Sequence, residues 1–507
     1  MNWIDKTISL IAPQVAVHRA RARIQLEQLD RIGAEAQRFS YEAAKVGRRT
    51  GDWVASGTDP NAEIGPALVT LRGRARDLCR NDPYAKRAIA EIVGHLVGTG
   101  IMPRADTGDK DLNKIIDEAH KRWSDECDAD GQLDYFGLQW QLAKAVPESG
   151  EALVRFRPRR ASDGLYIPLQ MQVIEPDFLD THKTQLTQTG SIIHGVEFDK
   201  IGKRIAYWLF GNHPGAVLLT NGRGLTSAAV PAFENGSPNV LHLYIKDRPG
   251  QVRGVTWFAA AILRLRDLGT YDEAVWMRKR LEACIGLLVE SPEGEATMLG
   301  ASEEKDDGRI VEKMEPGMII KTRAGQTVKG FDPTPSEGAS RYRTELLQAV
   351  AASLGPTYEQ ITGDLSNVNY SSYRAGENGF DNTIEALRWL CMIPMALRPM
   401  YCRFIDAAYL AGVIPERNYG VRWTAPGKKS IDPLKDANAR QINIRNGIQT
   451  WPEAVAEAGF DPDEQISEIE QWNKTWDERG VILDCDPRKT ASNGNQTGVT
   501  NDKPAAA

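Results

Sequence analysis

Glu303-Glu304-Lys305-Asp306-Asp307 is an acidic run whose carboxylates could hold Mg²⁺ for phosphodiester cleavage. It lies in a Gly- and acid-rich insertion, Glu290 to Asp307, where contiguous charges read instead as a solvated loop. Gly98-Thr99-Gly100 could suggest a phosphate-binding turn, but it lacks a third glycine at the right spacing and follows a helical pattern, not a strand. Neither GxxxxGK(S/T) nor a GxSxG elbow occurs. His18, His95, His120, His182, His194, His213 and His242 form no i, i+4 pair of the kind that binds zinc. Cys79, Cys127, Cys284, Cys391, Cys402 and Cys485 include no CxxC and read as buried or incidental thiols of a reducing cytosol. Every common catalytic class is missing together, so no catalytic residue, metal or cofactor is expected, and the chain does not read as an enzyme.

Composition narrows the alternatives. A chain of 507 residues suits two to four domains, and 41% hydrophobic residues can bury a sizeable core. The net charge of −6 argues against a protein that clamps nucleic acid over its whole surface, because counterion release needs a basic face. A protein that lets DNA slide past needs the reverse, since tight phosphate contacts would stall it. No apolar run nears the ~20 residues of a membrane span, so no membrane partner is expected. Gly254 to Leu263 is uncharged but short, and Arg264 ends it. Met1 to Leu10 carries Asp5 and Lys6 and does not read as a signal peptide.

The elements follow from periodicity. Residues 1–45 read as an exposed helical arm in which Arg19, Arg21, Arg23 and Arg31 form either a solvated face or a DNA- or partner-binding one. Apolar residues at threes and fours from Leu68 to Leu96 predict two helices meeting at Arg80-Asn81-Asp82-Pro83, because proline suits a first turn and not an interior. Residues 110–146 read as helical, with Trp123, Phe136, Trp140 and Leu142 as core. Between Glu151 and Leu243 short strands take over, at Ala152–Phe156, Leu169–Ile174, Ile192–Phe198, Ile205–Phe210 and Val240–Ile245. Thr256 is a candidate cap for a helix to about Cys284, on the order of 40 Å long. A strand pair, Met318–Lys321 with Thr327–Phe331, is expected next, then a helix over about 336–353. Gly355 to Ser372 is a polar loop containing no Lys or Arg, with Ser371 or Ser372 capping a third long helix, about Tyr373 to Ala411, that Pro394 and Pro399 should kink. Helices around Asp436–Ala458 and Pro462–Arg479 follow, and the composition of 484–507 predicts a disordered tail.

Several stretches, spread over about residues 65–425, carry a recognisable pattern together. They are Arg76-Asp77-Leu78-Cys79-Arg80-Asn81-Asp82-Pro83-Tyr84-Ala85, Val97-Gly98-Thr99-Gly100-Ile101, Gly150-Glu151-Ala152-Leu153-Val154 and Gln172-Val173-Ile174-Glu175-Pro176-Asp177. Gly195-Val196-Glu197-Phe198-Asp199, Ala206-Tyr207-Trp208-Leu209 and Arg248-Pro249-Gly250-Gln251-Val252-Arg253-Gly254 follow. The most telling is Thr362-Gly363-Asp364-Leu365-Ser366-Asn367-Val368-Asn369-Tyr370-Ser371-Ser372-Tyr373-Arg374-Ala375. Together, and in this order, these stretches resemble the lambda-like family of phage portal proteins.

The resemblance implies an α+β portal-type subunit with helical stem, α/β wing, small clip and helical crown, assembled as a dodecameric ring at one capsid vertex. By analogy, 1–59 is an N-terminal helical arm, 60–253 the wing, 254–284 stem helix 1, 285–335 the clip and 336–354 stem helix 2. Residues 355–372 are the tunnel loop, 373–424 the long kinked wing helix, 425–483 the crown and 484–507 the tail. Implied partners are further copies of the chain, the terminase large subunit, head-completion and tail adaptor proteins, the major capsid protein, and double-stranded DNA passing without sequence specificity. The implied location is the virion, and the host cytoplasm during assembly. In the tunnel loop Asp364, Ser366, Asn367, Asn369 and Ser371 can exchange hydrogen bonds with passing phosphates without a persistent ion pair; an ordinary solvent loop is the plainer reading. The rival classes are an enzyme that processes or packages DNA ends, a nuclease or ATPase, and a non-viral ring adaptor.

Overall fold

The helices begin where the local chemistry demands. Asp82, in extended backbone, accepts a hydrogen bond from Ala85 N and Pro83 supplies the first turn, so α2 (Leu68–Asn81) ends and α3 (Pro83–Leu96) starts there. A short α1 (Pro60–Ile64) precedes them. The computed structural model describes residues 57–216, 226–284, 339–427 and 432–483, with Leu26, Arg48, short strands between 288 and 329, and Asp486, Arg488 and Lys489. Residues 1–59 and 60–507 form separate units, and the architecture here is that of the second. The expected N-terminal arm and C-terminal tail fall almost wholly outside the described residues.

β1 (Met102–Ala105) follows α3, then α4 (Lys110–Ser124) and α5 (Tyr135–Ser149). The helical region expected over 110–146 is therefore two helices. Asp109 caps the first, and Asp134, accepting from Gly137 N, caps the second. Trp123 and Leu142 are fully buried, but Trp140 is 49% exposed on the outer side of α5 and is not core. A three-stranded antiparallel sheet comes next, ordered β11-β2-β3 from β2 (Glu151–Pro158), β3 (Leu169–Ile174) and β11 (Val240–Tyr244). Between β3 and β11 lies a five-stranded meander of β4 (Gln185–Leu186), β5 (Gly190–Ile193), β6 (Val196–Asp199), β7 (Arg204–Phe210) and β8 (Ser227–Pro231). The small β9 (Phe233–Glu234) and β10 (Ser237–Pro238) precede β11. The expected strand Ile192–Phe198 is a hairpin. His194 and Gly195 both take positive φ, 48° and 85°, and reverse the chain between β5 and β6.

Thr256 does cap a helical turn, accepting from Phe258 N, but that turn is a short 3₁₀ segment ahead of α6 (Ile262–Cys284). In the next region β12 (Leu288–Glu290) pairs with β15 (Thr327–Lys329), and β13 (Ser302–Glu304) with β14 (Ile310–Glu312). Thr327–Lys329 is thus a strand as expected, with a partner the sequence reading did not foresee; Met318–Lys321 lies outside the described residues. Glu303 and Glu304, expected in a loop, belong to a strand.

α7 (Ala339–Leu354) runs beside α6, tied by Arg343 to Asp272 at 2.6 Å. Beyond a short α8 (Tyr358–Thr362), one helical run extends from α9 (Tyr370–Leu387) through a π-helical stretch (Arg388–Leu397) to α10 (Arg398–Leu410). Pro394 lies within the π-helical stretch and Pro399 in the first turn of α10. The run ends at Leu410; β16 (Val421–Thr424) then pairs with β1. α11 (Pro433–Arg445), α12 (Trp451–Glu457) and α13 (Pro462–Arg479) close the chain, and Gly447, with φ 70°, breaks what the sequence suggested was one helix over 436–458. The main core gathers α3, α4, α5, α7, α9 and α10 around Ile92, Trp123, Val350 and Phe404. A smaller one packs Leu153, Val196, Tyr207 and Val240 between the sheets.

Candidate functional site

The segment 355–372 is less of a loop than its composition suggests. Gly355, with φ 106°, ends α7, and Thr357 and Gln360 form a reciprocal capping box that starts α8. Ile361 is buried in the main core, and Arg87 of α3 donates to Gln360 O at 3.2 Å. Half of the expected loop is therefore anchored. The open part is 363–369, beginning at Gly363 with φ 72°.

Asp364, Ser366, Asn367 and Asn369 lie on this exposed stretch, while Ser371 is exposed in the first turn of α9. Asp364 Oδ1 accepts from Ser366 N at 3.0 Å and from Ser366 Oγ at 2.6 Å, and these bonds hold its carboxyl below the usual range. The cap of α9 is Asn369, not Ser371 or Ser372: its Oδ1 accepts from Ser372 N at 2.9 Å, and Ser372 Oγ accepts from Asn369 N at 3.1 Å. Tyr370, 41% exposed in the first turn of α9, accepts at its hydroxyl from Arg374 at 2.9 Å. Arg374 also donates to Asp436 of α11 at 2.9 Å. The result is a short polar projection, fixed at both ends and free of cations, with Leu365 exposed near its start.

A second constellation was not singled out from the sequence. Glu151, fully buried at the start of β2, accepts at Oε1 from Arg72 Nη2 at 2.8 Å and Arg253 Nη2 at 2.6 Å, and its Oε2 accepts from Gly254 N at 3.0 Å and lies 2.8 Å from His242 Nε2. Burial pushes its carboxyl upward, but Arg253 and His242 outweigh this and hold it well below the ordinary range. Burial likewise lowers His242 to about 4, so its ring is neutral and Nε2–H donates. Arg76 donates to Asp177 at 2.7 Å and to Ser149 Oγ at 3.1 Å. Backbone contact completes the junction. A Cβ on Gly254 would lie 2.1 Å from Gly150 O, and one on Gly150 2.5 Å from Val255 C. The chain crosses itself here, immediately before α6. Arg76, Glu151, Asp177 and Arg253 come from four separate stretches of the family resemblance; what the sequence did not reveal is that they meet.

Glu175, Asp177 and His213 could together ligate a cation, but Arg76 stands 2.7 Å from Asp177 and 3.6 Å from Glu175, where a cation would sit. The grouping is an ion-pair cluster. No helix among the described residues is long and apolar enough to cross a membrane.

The fold is mixed helix and sheet, and its exposed polar turn and buried junction fit a structural subunit. The chain belongs to the lambda family of phage portal proteins, whose family model matches residues 46–388. It is 27% identical over 470 residues to the probable portal protein of Halomonas phage phiHAP-1, covering 85% of this chain and 86% of that protein. It is 21% identical to portal protein B of Escherichia phage lambda over 490 residues, 85% of this chain and 89% of that one. Among solved structures it is similar to chains of a native gene transfer agent virion (13% identity, TM-score 0.43, 78% of this chain and 94% of that chain) and of the gene transfer agent neck with C12 symmetry (13%, 0.43, 76% and 94%). Its function is that of a portal protein, a component of the phage particle, and the family is structural in character.

Proposed function

We propose that this chain is one subunit of a closed, dodecameric ring at the capsid vertex, and that DNA passes its 363–369 segment on entering and leaving the head. One observation carries the channel assignment: Asp364 to Asn369 is exposed apart from the half-buried Val368, contains no cation, and is fixed by α8 on one side and the Asn369 cap on the other. Such groups exchange hydrogen bonds with phosphates without ion pairs that would stall movement. In this reading residues 60–253 form the wing, 254–284 and 336–354 the stem, 285–335 the clip, 355–372 the tunnel region, 373–424 the long wing helix and 425–483 the crown. The ring offers surfaces to the terminase large subunit, to head-completion and tail adaptor proteins and to the major capsid protein. It assembles in the host cytoplasm, and it hydrolyses neither ATP nor DNA itself.

The test has two parts. Negative-stain images of the purified chain should show a ring with a central hole. Shortening the chain between Ser366 and Val368 should leave that ring intact while lowering DNA packaging or retention. Asn367→Arg should slow translocation in a salt-sensitive way, because each added phosphate contact steepens the salt dependence. Asn369 is spared, since replacing it would uncap α9. Normal packaging by both variants, or a ring with 363–369 on its outer surface, would refute the assignment.

A further inference from the structure

Arg155 and Arg157 share one face of β2, because alternate residues of a strand point the same way, and Arg159 follows at the same spacing. At ~3.4 Å per residue the three side chains leave the backbone about 7 Å apart. β3 answers them with amides. Gln172, opposite Arg155, accepts at Oε1 from Arg157 Nε at 3.0 Å and from its Nη2 at 2.6 Å. Gln170 accepts from Arg159 Nε at 2.8 Å, and its own nitrogen donates to Glu126 O and Asp128 O. Among the described residues no carboxylate pairs with these arginines, and the stretch 217–225 contains neither Asp nor Glu. Burial, then the charges of Arg155 and Arg159, hold Arg157 below the usual guanidinium range.

Arg155 and Arg157 open onto a cavity of about 440 Å³, between this face of the sheet and the end of β7. Phe178 and Phe210 add apolar wall, which reduces the screening of those charges. The hydrogen bonding around the cavity is lopsided. Gln172 Oε1 is taken twice by Arg157, and His213 Nδ1 accepts from Gly215 N at 3.0 Å. His213 Nε2 lies 3.1 Å from Glu175, which Arg76 also approaches at 3.6 Å, so that carboxylate has partners of its own. The donors are not taken. The Arg155 guanidinium, Nη1 of Arg157 and the Gln172 amide nitrogen bond to no other described residue.

Two adjacent guanidinium groups with free donors match a doubly charged oxyanion, whose oxygens accept several bonds at once. A single carboxylate would leave one of the two charges unmatched. We infer that this cavity binds a phosphate group, as the free ion or as the monoester of a small organic molecule, held by Arg155, Arg157 and the Gln172 amide. The site uses none of the residues of the channel reading and does not depend on the ring.

Calorimetric titration of the full-length chain with inorganic phosphate, at ionic strength held constant with chloride, tests it. One phosphate should bind per chain, and sulfate should compete where acetate does not. Arg155→Gln and Arg157→Gln should each weaken binding by about tenfold or more, and Arg159→Gln by less, because Arg159 does not line the cavity. Arg155→Gln relieves repulsion, so the phosphate-free chain should unfold at the same temperature or higher. Gln172→Glu sets a carboxylate oxygen where the amide oxygen now stands, 2.6 Å from Arg157, and should abolish binding while raising that temperature. Phenyl phosphate binding more tightly than inorganic phosphate assigns a monoester, through Phe178 and Phe210; binding no tighter assigns the free ion. The absence of saturable binding, equal affinity in the Arg155 and Arg157 variants, or competition by acetate as strong as by sulfate overturns the site. So does a double-stranded DNA fragment whose binding needs these arginines while inorganic phosphate has no effect.

Discussion

Replacing Glu151 by Gln keeps the shape of the side chain and removes one charge from the buried junction. Arg253 loses the charge on the partner of three short hydrogen bonds, at 2.6, 2.9 and 3.0 Å, and Arg72 loses it on one at 2.8 Å; the amide oxygen can still accept at one position, but the NH2 at the other would face the donors Gly254 N and His242 Nε2. Arg72 retains Asp177 at 3.3 Å, but Arg253 pairs with no other carboxylate among the described residues. Both guanidinium groups are at most 2% exposed, so water cannot replace what is lost. Removing one partner of a buried pair costs about 3–5 kcal/mol. Urea denaturation followed by tryptophan fluorescence measures it. As a scale, Arg341→Ala removes an exposed pair with Glu345 and should cost no more than about 0.5 kcal/mol. Adding Arg253→Met to Glu151→Gln should recover part of the loss, because both charges then leave together. The pH profile supplies an independent check. A carboxyl held below its ordinary value of 4.5 contributes stability that is present above that pH and lost as the pH falls below it. A Glu151→Gln protein within about 0.5 kcal/mol of the parent, with an unchanged acid limb, would refute the reasoning.

His95 should give the opposite pH dependence: hydrogen bonds to Asp381 and then Glu91 raise it to about 9 against the effect of burial, so its contribution is complete below 6.5 and lost as pH rises through about 9. Thermal unfolding between pH 6 and 10 should show a loss on the order of 2–3 kcal/mol that His95→Gln removes. Gly254→Ala should cost about 2 kcal/mol or more in denaturant titration, since its Cβ meets Gly150 O at 2.1 Å, while Gly269→Ala in α6, with open space around it, should stabilise by up to about 1 kcal/mol. Asn369→Ala should cost about 1 kcal/mol and speed hydrogen exchange at 370–373, whereas Asn367→Ala should change stability by less than about 0.5 kcal/mol.

The helices with terminal signals were the legible part of the fold. Asp82-Pro83 and Pro462 mark boundaries whose chemistry is local, and the structure puts them where the sequence does. The misses share a cause. Ile192–Phe198 reads as one strand because His194 carries no turn signal, and only with Gly195 does its positive φ make a hairpin. Trp140 reads as core because of its size, yet its place on α5 turns it outward. In the candidate site the polar character of 363–369 was visible, but the burial of Ile361 that shortens the loop depends on a distant helix. Glu151 draws its partners from 79 to 103 residues away, which no local pattern encodes.

The π-helical stretch also sets the phase of the longest helical run. Phe380, Ile384, Arg388, Met392, Ala396, Met400, Phe404 and Ala408 are all buried, and each follows the last by four residues. On a regular α-helix a step of four overshoots a full turn by about 40°, so seven steps would carry the row about 280° around the axis. The wider turns of Arg388–Leu397 take back part of that drift, keeping both ends of the row directed at one core. They also accommodate Pro394, which has no N–H to give and whose ring would crowd the carbonyl four residues earlier in an α-helix. The proline thus serves as a timing mark in the helix. Its neighbourhood is sensitive to length more than to composition, because one residue added or removed there would rotate everything beyond it, including Tyr401 and Phe404, by about 100°.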